Sequence, residues 1–124
     1  MQIKNDSDRC NVLREIIKEF YEPKRPLSFC DYSGVDQNGD SKTTFLLDRK
    51  FVVQYSIGYD NGVLLGVVLL AIGPIFFTAA DFWSYEDSRK FKLDVDVEAV
   101  HHNLAMLDVF LKDKPLRAGF RNGE

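Results

Sequence analysis

The chain has 124 residues, 45% of them hydrophobic and 28% charged, with ten Phe, five Tyr and one Trp, the composition of one globular domain with a single modest core. Sixteen Lys and Arg stand against nineteen Asp and Glu, a net charge of −3, which counts against a nucleic-acid backbone as partner because phosphate binding needs clustered cations. An acidic surface instead suits a basic protein.

In chain order, the first periodic segment is Ser7 to Tyr21. Cys10, Leu13, Ile16, Ile17 and Phe20 recur at helical spacing, and Arg9, Arg14, Glu15, Lys18 and Glu19 fill the other side. Asp6 or Ser7 is placed to cap this helix, and Pro23 with Pro26 ends it. A short strand is expected over Leu27 to Tyr32, then a loop over 33–40, where turn-forming residues crowd together. Thr43 to Leu47 and Phe51 to Tyr59 read as a hairpin joined at Asp48-Arg49-Lys50, the second strand with its odd positions apolar.

Gly62 to Ala80 carries no charge and as a helix would measure about 28 Å, close to the ~30 Å of a bilayer core. Gly73-Pro74 in its interior, Asp60 and Asp81 at its borders and the lack of flanking Lys or Arg clusters point instead to two strands. Val63 to Ile72, apolar on both faces, suits a central strand, and Ile75 to Trp83 is expected to continue the sheet. After a turn at Tyr85 to Ser88, Lys90 to Val97 alternates strictly between apolar and charged residues, the pattern of a half-buried strand. A second helix is expected from Glu98 to Lys112 on the stripe Val100, Leu104, Leu107 and Leu111, with Asp96 and Glu98 at its start. Residues 115–124 read as a loose tail of a single domain spanning 1–124. The fold class is therefore α+β, with an antiparallel, strongly curved sheet of about six strands flanked by an N-terminal and a C-terminal helix.

No constellation in the sequence carries catalysis. Asp36, Asn38 and Asp40 alternate like the start of a calcium loop, but Ser41 and Leu47 stand where that loop needs Gly and Glu. His101 and His102 point about 100° apart on a helix and lack a nucleophile motif. Cys10 and Cys30 sit in apolar patterns, without a secretory signal before them, so two free thiols in a reducing cytoplasm are expected. No metal or cofactor is implied.

The acids are uneven. Residues 81–108 hold Asp81, Glu86, Asp87, Asp94, Asp96, Glu98 and Asp108 against Arg89, Lys90 and Lys92. If Ile75 to Tyr85 is a strand, Asp81, Trp83 and Tyr85 share one face, an aromatic and acidic surface suited to a cationic partner. The competing reading makes Trp83 core and the acids solvation and helix caps.

The stretch FWSYEDSRKFKLDVD leading into EAVHHNLAMLDVFLK resembles the cytoplasmic immunity proteins of bacterial contact-dependent growth-inhibition systems. The resemblance implies a non-enzymatic protein that binds a cognate, basic toxin domain, often a nuclease, and covers its active site or substrate surface. Asp81, Glu86, Asp87, Asp94 and Asp96 would then stand in for substrate phosphates, with Trp83 and Tyr85 as anchors. Two other readings stay open: an acidic secretion chaperone, expected to dimerise, and a small enzyme or ligand-binding domain with His101 or His102 in a cavity.

Overall fold

The computed structural model describes residues 9–30, 34–35 and 40–113. Its elements are α1 (Arg9–Tyr21), β1 (Leu27–Phe29), β2 (Gly34–Val35), β3 (Ser41–Leu47), β4 (Phe51–Asp60), β5 (Val63–Ile72), β6 (Ile75–Thr78), α2 (Ala79–Phe82), α3 (Tyr85–Ser88) and α4 (Val97–Asp113). The cap expected at Asp6 or Ser7, Tyr32, most of the 33–40 loop with Asp36 and Asn38, and the 115–124 tail lie outside the described residues.

Local turn chemistry sets the register. Asp60 pairs with Val63 across Asn61 and Gly62, whose φ values of 51° and 79° match the type I′ turn that closes two-residue hairpins. Gly73, at φ 58°, followed by Pro74 closes Ile72 onto Ile75, because Gly tolerates the positive φ and Pro supplies the next one ready-made. Asp48 and Arg49 take φ values of 58° and 57° between β3 and β4, with the Lys50 N–H donating to the Leu47 carbonyl at 3.1 Å. The sheet is antiparallel in the order β1-β3-β4-β5-β6, with β2 also paired to β3. The chain is thus α+β, an open antiparallel sheet with an early and a late helix.

Strand alternation decides which face becomes core. Phe45 and Leu47 of β3, Val53, Tyr55 and Ile57 of β4, and Val68 and Leu70 of β5 meet Leu13, Ile16, Ile17 and Tyr21 of α1 and Val100, Leu104, Leu107 and Phe110 of α4. The two long helices also touch each other, and the Tyr21 hydroxyl donates to the Leu104 carbonyl at 3.1 Å. Arg9, expected on the solvent side of α1, is only 1% exposed. The opposite face of the sheet carries Leu46, Val52, Leu65, Val67, Leu69 and Phe76, half-buried and outside the core cluster. The apolar positions on both sides of β5 therefore do not place it between two layers of helices.

Four expected elements differ. The loop expected over 33–40 contains the two-residue strand β2, Gly34 and Val35 pairing with Lys42 and Ser41. The strand expected to run from Ile75 to Trp83 ends at Thr78, where α2 begins, and the turn at Tyr85 to Ser88 is the short helix α3. Lys90 to Val97 is not a strand, because its backbone is satisfied otherwise. The Asn103 carboxamide oxygen accepts from the Lys92 N–H at 2.7 Å, and its nitrogen donates to the Lys92 carbonyl at 2.8 Å. One ladder-like bond remains, from the Gly66 N–H to the Leu93 carbonyl at 2.8 Å. Of the four apolar positions only Val95 is buried, whereas Leu93 is exposed. A Cβ on Gly66 would lie 3.2 Å from the Tyr55 ring and 3.5 Å from Val95, so the missing side chain admits this segment against the sheet.

Asn103 is fully buried and its amide nitrogen also donates to the Tyr55 hydroxyl at 2.8 Å. Burial pushes the Tyr55 hydroxyl up to about 12, against a smaller opposing contribution from the Asn103 hydrogen bond. Asn103→Leu should lower stability in urea unfolding by about 2–3 kcal/mol, since it leaves the buried Tyr55 hydroxyl and the part-buried Lys92 N–H and carbonyl without their partner, and should speed amide exchange at Lys92. A phenol whose folded pKa is raised holds its proton more tightly when folded, so stability is full below its ordinary value near 10 and declines as pH rises through about 12. Unfolding curves between pH 9 and pH 12 should show that decline.

Candidate functional site

The acids and aromatics of residues 81–96 separate into two places. Thr78 ends β6 because its N–H and hydroxyl both donate to the Asp81 carboxylate, at 3.2 and 3.0 Å, the reach-back half of a capping box. Ser84 caps α3 by the converse bond, its hydroxyl accepting from the Asp87 N–H at 3.0 Å. Helical geometry destroys the alternation that would have placed Asp81, Trp83 and Tyr85 on one face. Trp83 is 5% exposed and stacks edge-on against Phe110 at 5.0 Å between centroids, so it is core and no anchor. Tyr85 is 73% exposed with Glu86 beside it on α3, while Asp87 is half-buried and pairs with Lys90 at 3.3 Å.

Asp94 and Asp96 belong to a different surface. They line a cleft of about 460 Å³ with Tyr59, Gly62, Val63, Leu64 and Val95, at the tip of the β4–β5 hairpin. Tyr59 and Leu64 face each other across the hairpin on the helix side of the sheet, and the segment held by Gly66 and Asn103 forms the opposite wall. Asp96 also caps α4, accepting from the Ala99 N–H at 2.8 Å, where a carboxylate is favoured by the helix dipole. Tyr59 and Val63 are 62% and 57% exposed, and Asp60, Asp94 and Asp96 are exposed carboxylates. No cationic side chain among the described residues lines this cleft. Tyr59, Asp60 and Val63 were absent from the sequence-predicted site. The available signal was the Asn-Gly turn, which puts the residues flanking it at an exposed tip.

Asp108 is already engaged elsewhere. Arg25 reaches it with one guanidinium nitrogen and holds Asp48 with the other two, the Nε bond measuring 2.8 Å. This clamp joins the chain after α1, the β3–β4 turn and α4 beside a second cleft of about 600 Å³. The hydrogen bond from Arg25 holds the Asp48 carboxyl below the usual carboxylate range, with smaller opposing desolvation, and the same bond raises the Arg25 pKa. His102 donates its Nε2–H to the Lys90 carbonyl at 2.7 Å, and His101 lies 6.1 Å from the Phe20 ring. Cys10 and Cys30 are unpaired. Among the described residues no group of His, Cys, Asp and Glu is arranged to hold a metal ion, and no helix is long and apolar enough to cross a membrane.

Comparisons with protein-family models, with curated proteins and with solved structures each find no match to this chain.

Trp83→Ala should cost about 3–5 kcal/mol in equilibrium unfolding, as a core aromatic does, whereas Tyr85→Ala should change stability by less than about 0.5 kcal/mol. Arg25→Met should cost about 1–2 kcal/mol at neutral pH. Because the Asp48 pKa is depressed in the fold, its share of that stability is present above about 4 and is lost as pH falls through the depressed value. The gap between wild type and Arg25→Met should therefore narrow in unfolding curves below about pH 4.

Proposed function

We propose that this chain is a binding protein that neutralises a basic protein domain, in the manner of a cytoplasmic immunity protein covering the substrate surface of a nuclease toxin. The observation that carries this reading is the hairpin-tip cleft, where an exposed tyrosine and valine stand with Asp94 and Asp96, no cationic side chain among the described residues lines the wall, and the exposed Asp60 flanks the same turn just outside the lining. Such a surface fits an arginine or lysine side chain. The ring receives the cation's face, and the carboxylates accept its N–H donors. The carboxylates would occupy the positions that substrate phosphates take on a nuclease, so inhibition is stoichiometric masking and needs no chemistry from this chain. Tyr85 and Glu86 on α3 are further exposed contacts, and Trp83 contributes only by supporting the core beneath them.

The alternative of an acidic secretion chaperone draws support from one observation, the apolar outer face of the sheet, on which an extended client could lie.

The test is calorimetric titration of the basic protein encoded beside this one, with nuclease activity followed in parallel. A one-to-one complex that abolishes activity is expected. Asp60→Lys combined with Asp94→Lys should weaken binding about tenfold to a hundredfold, mainly by slowing association. Asp96 is left intact in that variant because it caps α4. Unchanged affinity after the double charge reversal would overturn this surface as the docking site.

A further inference from the structure

We propose that the hairpin-tip cleft captures its partner as an added strand, an extended basic segment that hydrogen-bonds to the open backbone edge at Leu64 and lays a cationic side chain against Tyr59, Asp94 and Asp96. That mode rests on the cationic reading of the cleft and adds how the cation arrives. Ladder parity fixes the edge. In an antiparallel pair successive residues direct their backbone groups to alternate sides. Val63 closes the two-residue turn on Asp60, so the odd positions of β5 bond to β4. The even positions face the other way. Ile72 closes on Ile75 of β6, and the Gly66 N–H donates to the Leu93 carbonyl at 2.8 Å. Leu64 therefore directs both its N–H and its carbonyl away from β4. Strand β6 does not reach them, because its pairing stops at Leu69 with Thr78, whose N–H is taken by Asp81. The Phe91–Val97 segment bonds at Gly66 and then turns Val95 into the core. Among the described residues the two Leu64 groups have no hydrogen-bond partner, and Leu64 lines the cleft.

Charge and strand geometry select the occupant. An unpaired edge is a template for an extended chain, and an antiparallel residue set opposite Leu64 exchanges both bonds with it. Residues opposite each other share a face of the sheet. The side chain of that residue therefore lies on the side of Leu64 and Tyr59, with Asp94 and Asp96 beside it, where Lys or Arg fits and a carboxylate is repelled. Its two neighbours point to the other face, next to Val63 and Leu65, which are apolar. The bond between Gly66 and Leu93 stops the ladder from running further, so the addition covers about three residues, ~10 Å of chain. The ligand class is thus an extended segment reading apolar, basic, apolar. A helix or a flat basic surface does not supply that order together with free backbone groups.

The probe is a short blocked peptide, Thr-Val-Arg-Val-Thr, titrated to about 5 mM into the isotopically labelled whole chain and followed by nuclear magnetic resonance. The Leu64 amide resonance should shift, and its hydrogen exchange should slow, as the peptide binds. A copy N-methylated at the arginine amide keeps the charge but cannot donate to the Leu64 carbonyl, and should bind at least about fivefold more weakly. Leu64→Pro removes the matching donor on the protein and should weaken the parent peptide to a similar degree. Proline is tolerated on an open strand edge, so this variant should keep the wild-type unfolding curve, and the methylated peptide reads the same contact with the protein unaltered. Equal affinity for the two peptides, or a Leu64 amide unmoved at about 5 mM, would overturn the added strand, while the charge-reversal test on the basic partner stands or falls by itself.

Discussion

The carboxamide of Asn103 is the point on which this arrangement depends. An amide side chain can offer an acceptor to one residue's N–H and a donor to the same residue's carbonyl, and still keep a second donor free. Asn103 uses all of that capacity, engaging both backbone groups of Lys92 and the Tyr55 hydroxyl from a fully buried position on α4. The segment from Phe91 to Val97 is thereby held near the sheet without becoming part of it. Its path fixes where Asp94 and Asp96 emerge, and so forms one wall of the hairpin-tip cleft. A core interaction thus positions the charged surface.

Gly66 completes this constraint from the other side. With no Cβ between the Tyr55 ring and Val95, the crossing segment comes close enough for one backbone bond to β5. The clamp at Arg25 acts five residues beyond Asn103 on α4, at Asp108, tying the helix to the β3–β4 turn. The helix is therefore pinned in its first half by an uncharged network and in its second half by ion pairs of partly exposed groups. These respond to different pH ranges, the first at high pH and the second in acid.

Much of the fold was legible because its signals were local. The α1 stripe, the Asn61-Gly62 and Gly73-Pro74 turns and the alternation of β4 each follow from the preferences of a few neighbouring residues. The Lys90–Val97 strand failed because alternation describes a chain that could pair, whereas pairing requires a free neighbour, and Asn103 had taken the Lys92 groups. Asn103 itself was visible as the polar residue within the stripe of Val100, Leu104 and Leu107, a place where Asn lowers helix propensity. Thr78 to Asp81 and Ser84 to Asp87 both carried the helix-start pattern, which would have broken the aromatic and acidic face before it was drawn. The candidate site was half legible. Asp94 and Asp96 were found from charge alone, but their neighbours Tyr59 and Val63 arrive from a hairpin more than thirty positions earlier in the chain, which no local pattern encodes.

The burial of Trp83 against Phe110 has an optical consequence. It is the chain's single tryptophan, and it sits under α4 in apolar surroundings rather than at the hairpin tip. Its emission is therefore a native signal for the integrity of the interior. A molecule binding over Tyr59 and Asp94 leaves that indole in the same environment, so tryptophan fluorescence separates loss of structure from occupancy of the cleft without any added label.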